Sequence, residues 1–426
     1  MGASSNHLLK IKEGNDFMTQ HTKQTELSAR WWILAAGVAT MLFAGILYAW
    51  SILKAPFASE LNYEASALAL NFTLTMCFFC LGGFLSGQMV RRIGTRLTII
   101  ISGLMAGIGF VLTGFLGAVN PLLLYLTYAF LGGSGIGIAY IVIISTVNAW
   151  FPDRRGLSSG MLMMGFGAST LLLGKIADRL FASAVGWRNT YVIIGIAIAA
   201  AVVLSSFVIK APGKDTVLPQ KKKTAKAKSE DFEPRDYTPS EMVRRFTFWR
   251  AFFALVCMTA VGSSVISFAR DLALSVGSPA ALATTLVGVL AVCNGLGRII
   301  TGALFDTMGR RFTMIAASVL TIVASAVTLI AVSIGSLPIC IAGLCLTGLS
   351  YGTSPTVSSA FTSAFYGQKH FATNLSISNF NLMVASFIAT ACSSLQTVSG
   401  GYTAPFILLL SLASVALVLN ISIKRP

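Results

Sequence analysis

Arg298 is a guanidinium in an apolar run, "ALATTLVGVLAVCNGLGRIITGAL" (residues 281–304), that contains no acid. A bare arginine in a membrane span costs several kcal/mol unless it meets water, protein or an anion. Such a residue is suited to holding something negative, since its planar fork can grip both oxygens of a carboxylate. Four other apolar stretches carry groups able to complete an anion's shell. The first has Tyr48 and Trp50, the fourth Tyr140 among small residues, and the tenth Tyr351 and a helix-breaking Pro355. The eleventh has Asn374, Ser378 and Asn381 on one helical face. Phe166 of the fifth is counted with them. Each Tyr or Asn alone can be read as an interhelical hydrogen-bonding residue; as a set they predict a lined cavity.

The elements that must position these groups are membrane helices. The 426 residues are 55% hydrophobic and 11% charged, against roughly 25% charge in an ordinary soluble chain. Stretches long enough to cross a bilayer fall near 31–53, 66–90, 97–117, 121–146, 156–180, 189–209, 247–270, 281–304, 312–333, 338–362, 372–395 and 403–423. The ten-residue alternation of a membrane β-barrel is absent. Of the 31 Lys and Arg, 25 fall on the side that holds the termini and the central linker. The positive-inside rule therefore places both termini in the cytoplasm. The expected layout is a tail (1–30), a six-helix bundle (31–209), a basic linker (210–246), a second bundle (247–423) and a short tail (424–426). The charge of +16 thus reflects topology, and no nucleic-acid partner is expected. "KKKTAKAK" (Lys221–Lys228) reads as an anchor beside anionic lipid, with regulatory binding as the alternative. All seven cysteines lie in apolar segments, so no disulfide or zinc framework is expected; Cys77 and Cys80 read as packing residues. Natural starts at Met1 and at Met18 both remain open.

The two halves repeat. In "GQMVRRIGTRLTII" (Gly87–Ile100) and "GALFDTMGRRFTMI" (Gly302–Ile315), Gly, Gly, Arg, Thr and Ile recur at an offset of 215 residues. A repeat of this kind is a transporter architecture, with the substrate between the halves near the bilayer midplane. An acid such as Asp306 can pair with Arg310 and Arg311 and latch neighbouring helices; the first copy has Arg91 in its place, followed by Arg96. Gly83/Gly87, Gly133/Gly137 and Gly156/Gly160 read as helix-packing sites. Lys175 can form an ion pair with Asp178 or serve as a second substrate cation in an outer vestibule. Lys54 reads as a snorkelling rim lysine or as an attracting or gating charge. Arg270 and Asp271 read as an end anchor or an outer gate.

Several of these strings carry a resemblance. "NAWFPDRRGLSSG" (Asn148–Gly160), "LYAWS", "SYGTSP" and "CNGLGR…G…FDTMGRR" are similar to motifs of the oxalate:formate antiporter family, bacterial relatives of the monocarboxylate transporters. The loop at Gly302, Asp306, Gly309, Arg310 and Arg311 matches the signature of the major facilitator superfamily. The resemblance covers most of residues 31–420 and implies an all-α membrane protein of twelve helices in two pseudo-symmetric six-helix bundles. It implies that Arg298 holds a substrate carboxylate, with Tyr48, Tyr140 and Tyr351 in the aromatic positions around it. Two departures are informative. Oxalate exchangers of the family carry a lysine where Leu382 stands here, beside Asn381. Proton-coupled relatives carry an aspartate where Asn294 stands.

The expected function is secondary transport of a small organic anion, a monocarboxylate or an oxalate/formate-type substrate, by alternating access. Exchange is the leading form and proton symport the alternative. Cation efflux would need an acid within the first or fourth span, and none is there. A sugar carrier would give the lone arginine no role. An enzyme is not expected: neither H-E-x-x-H nor G-x-x-x-x-G-K-[ST] occurs. A ligand-binding sensor on a transporter scaffold remains a reading of another class. No cofactor is implied. The expected partners are the anion, the lipid bilayer and, under symport, protons, for a monomer in the bacterial cytoplasmic membrane.

Overall fold

The computed structural model describes residues 29–423, apart from 118–119, 214–215, 217 and 220–234. Lys221–Lys228, both candidate starts and the last basic pair (Lys424, Arg425) lie outside the described residues. Among the described residues, eleven helices are long and apolar enough to span a membrane. One of them, Ser66–Gly114, is broken at Gly94, where φ is 80° and ψ 165°. Divided there, the spans number twelve: α1 (Ala29–Ser59), α2 (66–93), α3 (95–114), α4 (Pro121–Ala149), α5 (Gly156–Phe181), α6 (Gly186–Val208), α7 (Phe246–Ser275), α8 (Ala280–Met308), α9 (Arg310–Ile334), α10 (Leu337–Tyr366), α11 (Phe371–Ser399) and α12 (Thr403–Ile421). Helices are the natural state here, because each satisfies its backbone polar groups internally where lipid offers no partner. Outward faces are apolar: Leu204, Ile334 and Val418 are exposed by 66%, 68% and 68%, a surface suited to lipid rather than water.

The sequence repeat is visible as one turn made twice. Gly309 has φ 79° and ψ 176°, matching Gly94. Thr98 Oγ1 donates to Gly94 O at 2.7 Å and Thr313 Oγ1 to Gly309 O at 2.8 Å. Only glycine adopts that backbone region without strain, which accounts for the conserved spacing between the copies within this chain.

The glycine pairs pack helices, as their spacing predicts: a Cβ on Gly83 would lie 3.4 Å from Gly137 O, and one on Gly133 would lie 2.8 Å from Thr75 O. One expectation fails. Pro355 does not break α10, which runs through it from Leu337 to Tyr366. Membrane helices tolerate an internal proline when neighbours re-satisfy the freed backbone groups.

The two bundles meet unevenly. We call the end with the Gly94 and Gly309 turns the basic end. There Ser159 and Ser359 hydroxyls lie 3.3 Å apart, Ser376 Oγ donates to Gly83 O at 2.9 Å, and Phe84 packs on Phe380 at 6.0 Å between ring centres. At the opposite end the Thr73 and Thr390 hydroxyls meet at 2.7 Å, beside an open cavity of about 150 Å³.

Candidate functional site

Arg298 is 1% exposed, among the largest fully buried side chains in the protein. Its Nε donates to Asn294 Oδ1, one turn earlier on α8, at 3.0 Å. Its Nη1 donates to the backbone oxygen of Met163 on α5 at 2.8 Å, so the guanidinium bridges the two bundles. Nη2 has no hydrogen-bond partner among the described residues. Both acceptors are neutral, and no described acid lies within ion-pairing distance. The charge is therefore shared by two dipoles but not cancelled.

Around it the aromatic residues predicted from four spans form one chain of contacts. Tyr351 Oη donates to Tyr48 Oη at 3.1 Å, across the bundles. Tyr48 meets Phe166 edge-on at 5.1 Å between centres, and Phe166 meets Tyr140 at 5.2 Å. Local backbone geometry sets these positions. Tyr48 sits in a 3₁₀ turn (Gly45–Ala49) that tightens α1. Gly352 brings α10 against α8, since a Cβ there would overlap Asn294 O and lie 2.9 Å from Arg298 N. A small cavity of about 10 Å³, room for about one water, is lined by Tyr48, Gly167, Thr170, Val287 and Asn294.

Other predicted residues are placed differently. Asn381 accepts from Thr259 Oγ1 at 3.0 Å and donates to Ser378 O at 2.6 Å, tying α11 to α7. Ser378 meets Thr362 of α10 at 3.1 Å, and Asn374 donates to Tyr237 O of the linker at 3.0 Å. The α11 stripe is thus interhelical hydrogen bonding, not the cavity lining expected. Leu382 is 7% exposed and packs in the core. The expected pairing of Lys175 with Asp178 is not formed: no ion pair joins them within 4.0 Å among the described residues. Lys175 Cε lies instead against α8, 3.7 Å from where a Cβ on Gly288 would be.

Asp306 presses on the other bundle: its Oδ2 is 2.7 Å from the position of a Cβ on Gly156. Arg310 lies over the Phe365 ring at 4.3 Å, and Arg96 over Phe207 at 4.4 Å. Arg91 and Arg311 are exposed. Lys54 and Asp271 both line the cavity at the opposite end, from different bundles, with Trp50, Phe72 and Phe268. Arg270 Nε is 3.4 Å from Thr284 Oγ1.

Sequence reasoning missed two participants. Met163 acts through its carbonyl, which no side-chain pattern announces. Phe79 packs on Tyr140 at 5.2 Å and on Phe166 at 6.2 Å; it lay hidden in the apolar string "CFFC".

The profile of the Major Facilitator Superfamily matches residues 32–390. The chain belongs to the major facilitator superfamily. It is 27% identical over 351 residues to the uncharacterized MFS-type transporter YhjX of Escherichia coli K12, covering 82% of this chain and 83% of that one. It is 27% identical over 350 residues to the oxalate:formate antiporter of Oxalobacter formigenes, covering 82% and 80%. In fold it is similar to the proton:xylose symporter XylE, with a TM-score of 0.71, 12% identity and coverage of 94% and 97%. The facilitator fold accounts for the two bundles, and the chain is a multi-pass membrane transporter.

Proposed function

We propose that this transporter carries small organic anions, monocarboxylates foremost, by alternating access with Arg298 as the carboxylate-binding residue. One observation carries the reading: a fully buried guanidinium at the bundle interface, facing no acid, with Nη2 unpartnered. A carboxylate accepting from Nη2, and from Nη1 in place of Met163 O, would neutralise the charge and leave both bundles joined to one ligand. Tyr48, Tyr140, Tyr351 and Phe166 would close around its apolar part, with the tyrosine hydroxyls toward its oxygens. The oxalate:formate antiporter among the relatives supports this chemistry. Leu382 supports a monoanion over a short dianion, since it brings no second cation to that position.

Exchange follows from the charge. Rocking the bundles with a bare guanidinium moves an uncompensated charge through a low-dielectric interface; rocking with the anion bound does not. Asn294 cannot carry a proton, which favours exchange over symport. In this reading the basic end faces the cytoplasm of a bacterial inner membrane, Asp306, Gly156 and the neighbouring arginines (Arg91, Arg96, Arg310, Arg311) hold that end shut, and Lys54 and Asp271 flank the external gate. The protein works as a monomer.

The test is uptake by proteoliposomes of labelled formate, lactate, oxalate and succinate into empty and anion-loaded vesicles. Uptake of a monocarboxylate confined to loaded vesicles is the expected result. Equal uptake into empty vesicles, driven by an inward proton gradient, would overturn the exchange mechanism. No uptake of any carboxylate, with binding retained, would favour a sensor.

A further inference from the structure

α5 runs along α8 as a stripe of close contacts. A Cβ on Gly160 would lie 3.0 Å from Arg298 O, and Met164 Cγ is 3.0 Å from the position of a Cβ on Gly295. Further along, Leu171 and Lys175 both meet Gly288. Between Met164 and Lys175 the helix widens into a π turn, Thr170–Gly174. Such a turn inserts about one extra residue and re-aims everything after it. Here it leaves Gly174 facing α1, where a Cβ would lie 3.4 Å from Ala49, and Lys175 facing α8. From α7, Arg270 reaches Thr284, one turn before Gly288 on α8. Two cations from opposite bundles therefore flank the same stretch of α8. Gly288 is ten residues before Arg298, about 15 Å along the helix, on the side away from the basic end. The small central cavity lies between, lined by Thr170, Ala269 and Val287.

Neither cation has an ion pair among the described residues. Asp178 and Asp271 are the nearest acids in sequence; both are exposed, and neither lies within 4.0 Å of Lys175 or Arg270. Both cations are half-buried, so their fields are less screened than those of solvated surface charges.

We propose that Lys175 and Arg270 form a second anion site, a loading site that takes the carboxylate from the external solution and passes it to Arg298. The inference rests on the function proposed above and adds a station to it. Two positive charges flanking one stretch of α8 raise the local anion concentration there, and steering of this kind changes on-rates by roughly 10- to 1,000-fold. Because the site lies between the bundles on the external side, it is sealed when the basic end opens. Its effect must be one-sided.

The experiment compares wild type with Lys175→Gln, Arg270→Gln and the double variant in proteoliposomes of defined orientation, using lactate or formate, whichever the wild type carries faster. The expected result is an external KM raised about tenfold in the double variant, with Vmax and internal KM unchanged. The ionic-strength dependence of external uptake should flatten, and Lys175→Arg should keep the wild-type KM. An unchanged external KM, or equal changes on both faces, would overturn the proposal. If the double variant does not insert, the single variants are read by the same criterion. A double variant with wild-type kinetics beside an inactive Arg298→Gln would sink the loading site and leave the carboxylate reading standing; active Arg298→Gln would sink both.

Discussion

Replacing Arg298 with glutamine should do two opposite things. Binding should collapse: a carboxylate on the guanidinium fork makes two charge-assisted hydrogen bonds, each about 1.5–3 kcal/mol. Losing both removes about 3–6 kcal/mol, a factor of about 10²–10⁴ in affinity. The unliganded protein, by contrast, should not suffer. Wild type buries a charge facing no acid and leaves Nη2 without an acceptor, and an unsatisfied buried group costs about 1–3 kcal/mol. A glutamine amide removes the charge and the orphan donor, and its nitrogen, falling near the place of Nε, can still donate to Asn294 Oδ1. Thermal unfolding in detergent without anion should therefore show an equal or higher Tm for the variant. Adding substrate at about a hundred times Kd should stabilise wild type by about 2.7 kcal/mol by mass action and leave the variant unmoved. Uptake in proteoliposomes gives the other half of the measurement. A variant that transports within tenfold of wild type, or one that unfolds, would refute the reasoning.

Three further perturbations follow. Gly156→Ala places a Cβ 2.7 Å from both Gly302 O and Asp306 Oδ2; overpacking of about 1–3 kcal/mol shifts the equilibrium roughly 5- to 150-fold toward the state open at the basic end, read as faster alkylation of a cysteine placed at Ser159. Asn294→Asp puts an acid beside Arg298 Nε, so the internal ion pair should compete with the anion; KM should rise at neutral pH and recover as acid protonates the aspartate, and a pH-independent KM would count against it. Outside the spans, the backbone N–H groups of Lys369 and Gln368 hold the Asp236 carboxyl below its usual range. A depressed native pKa contributes stability above the unfolded value near about 4 and loses it as pH falls through the native value. The Tm difference between wild type and Asp236→Asn should be constant above about pH 5 and shrink below about pH 4; its size should be small, since the group is exposed.

The fold was largely legible because apolar length and the Gly-x-Arg-x-Thr repeat are local signals. Gly94 and Gly309 proved to make the same turn, and Arg298 stood out because a lone cation has no local excuse in an apolar run. What failed depended on neighbours that no single helix reveals. By spacing alone Asn381 reads as cavity lining, whereas Thr259 of α7 donates to it. Pro355 looked like a break, yet α10 is continuous. Lys175 looked paired to Asp178 by spacing, but the π turn before it aims the side chain at α8 instead. The Met163 carbonyl carries no sequence signal at all.

The central claim concerns where the anion sits. Crystals soaked with a bromine-substituted monocarboxylate would locate it by anomalous scattering. A bromine peak within about 6 Å of the Arg298 guanidinium, a distance that fits a short chain whose carboxylate makes hydrogen bonds of about 2.8 Å, is the predicted result, with Tyr48 and Tyr351 around it. A saturated complex that is transport-competent but places bromine elsewhere, with Arg298 still bound to Met163 O, would contradict the account.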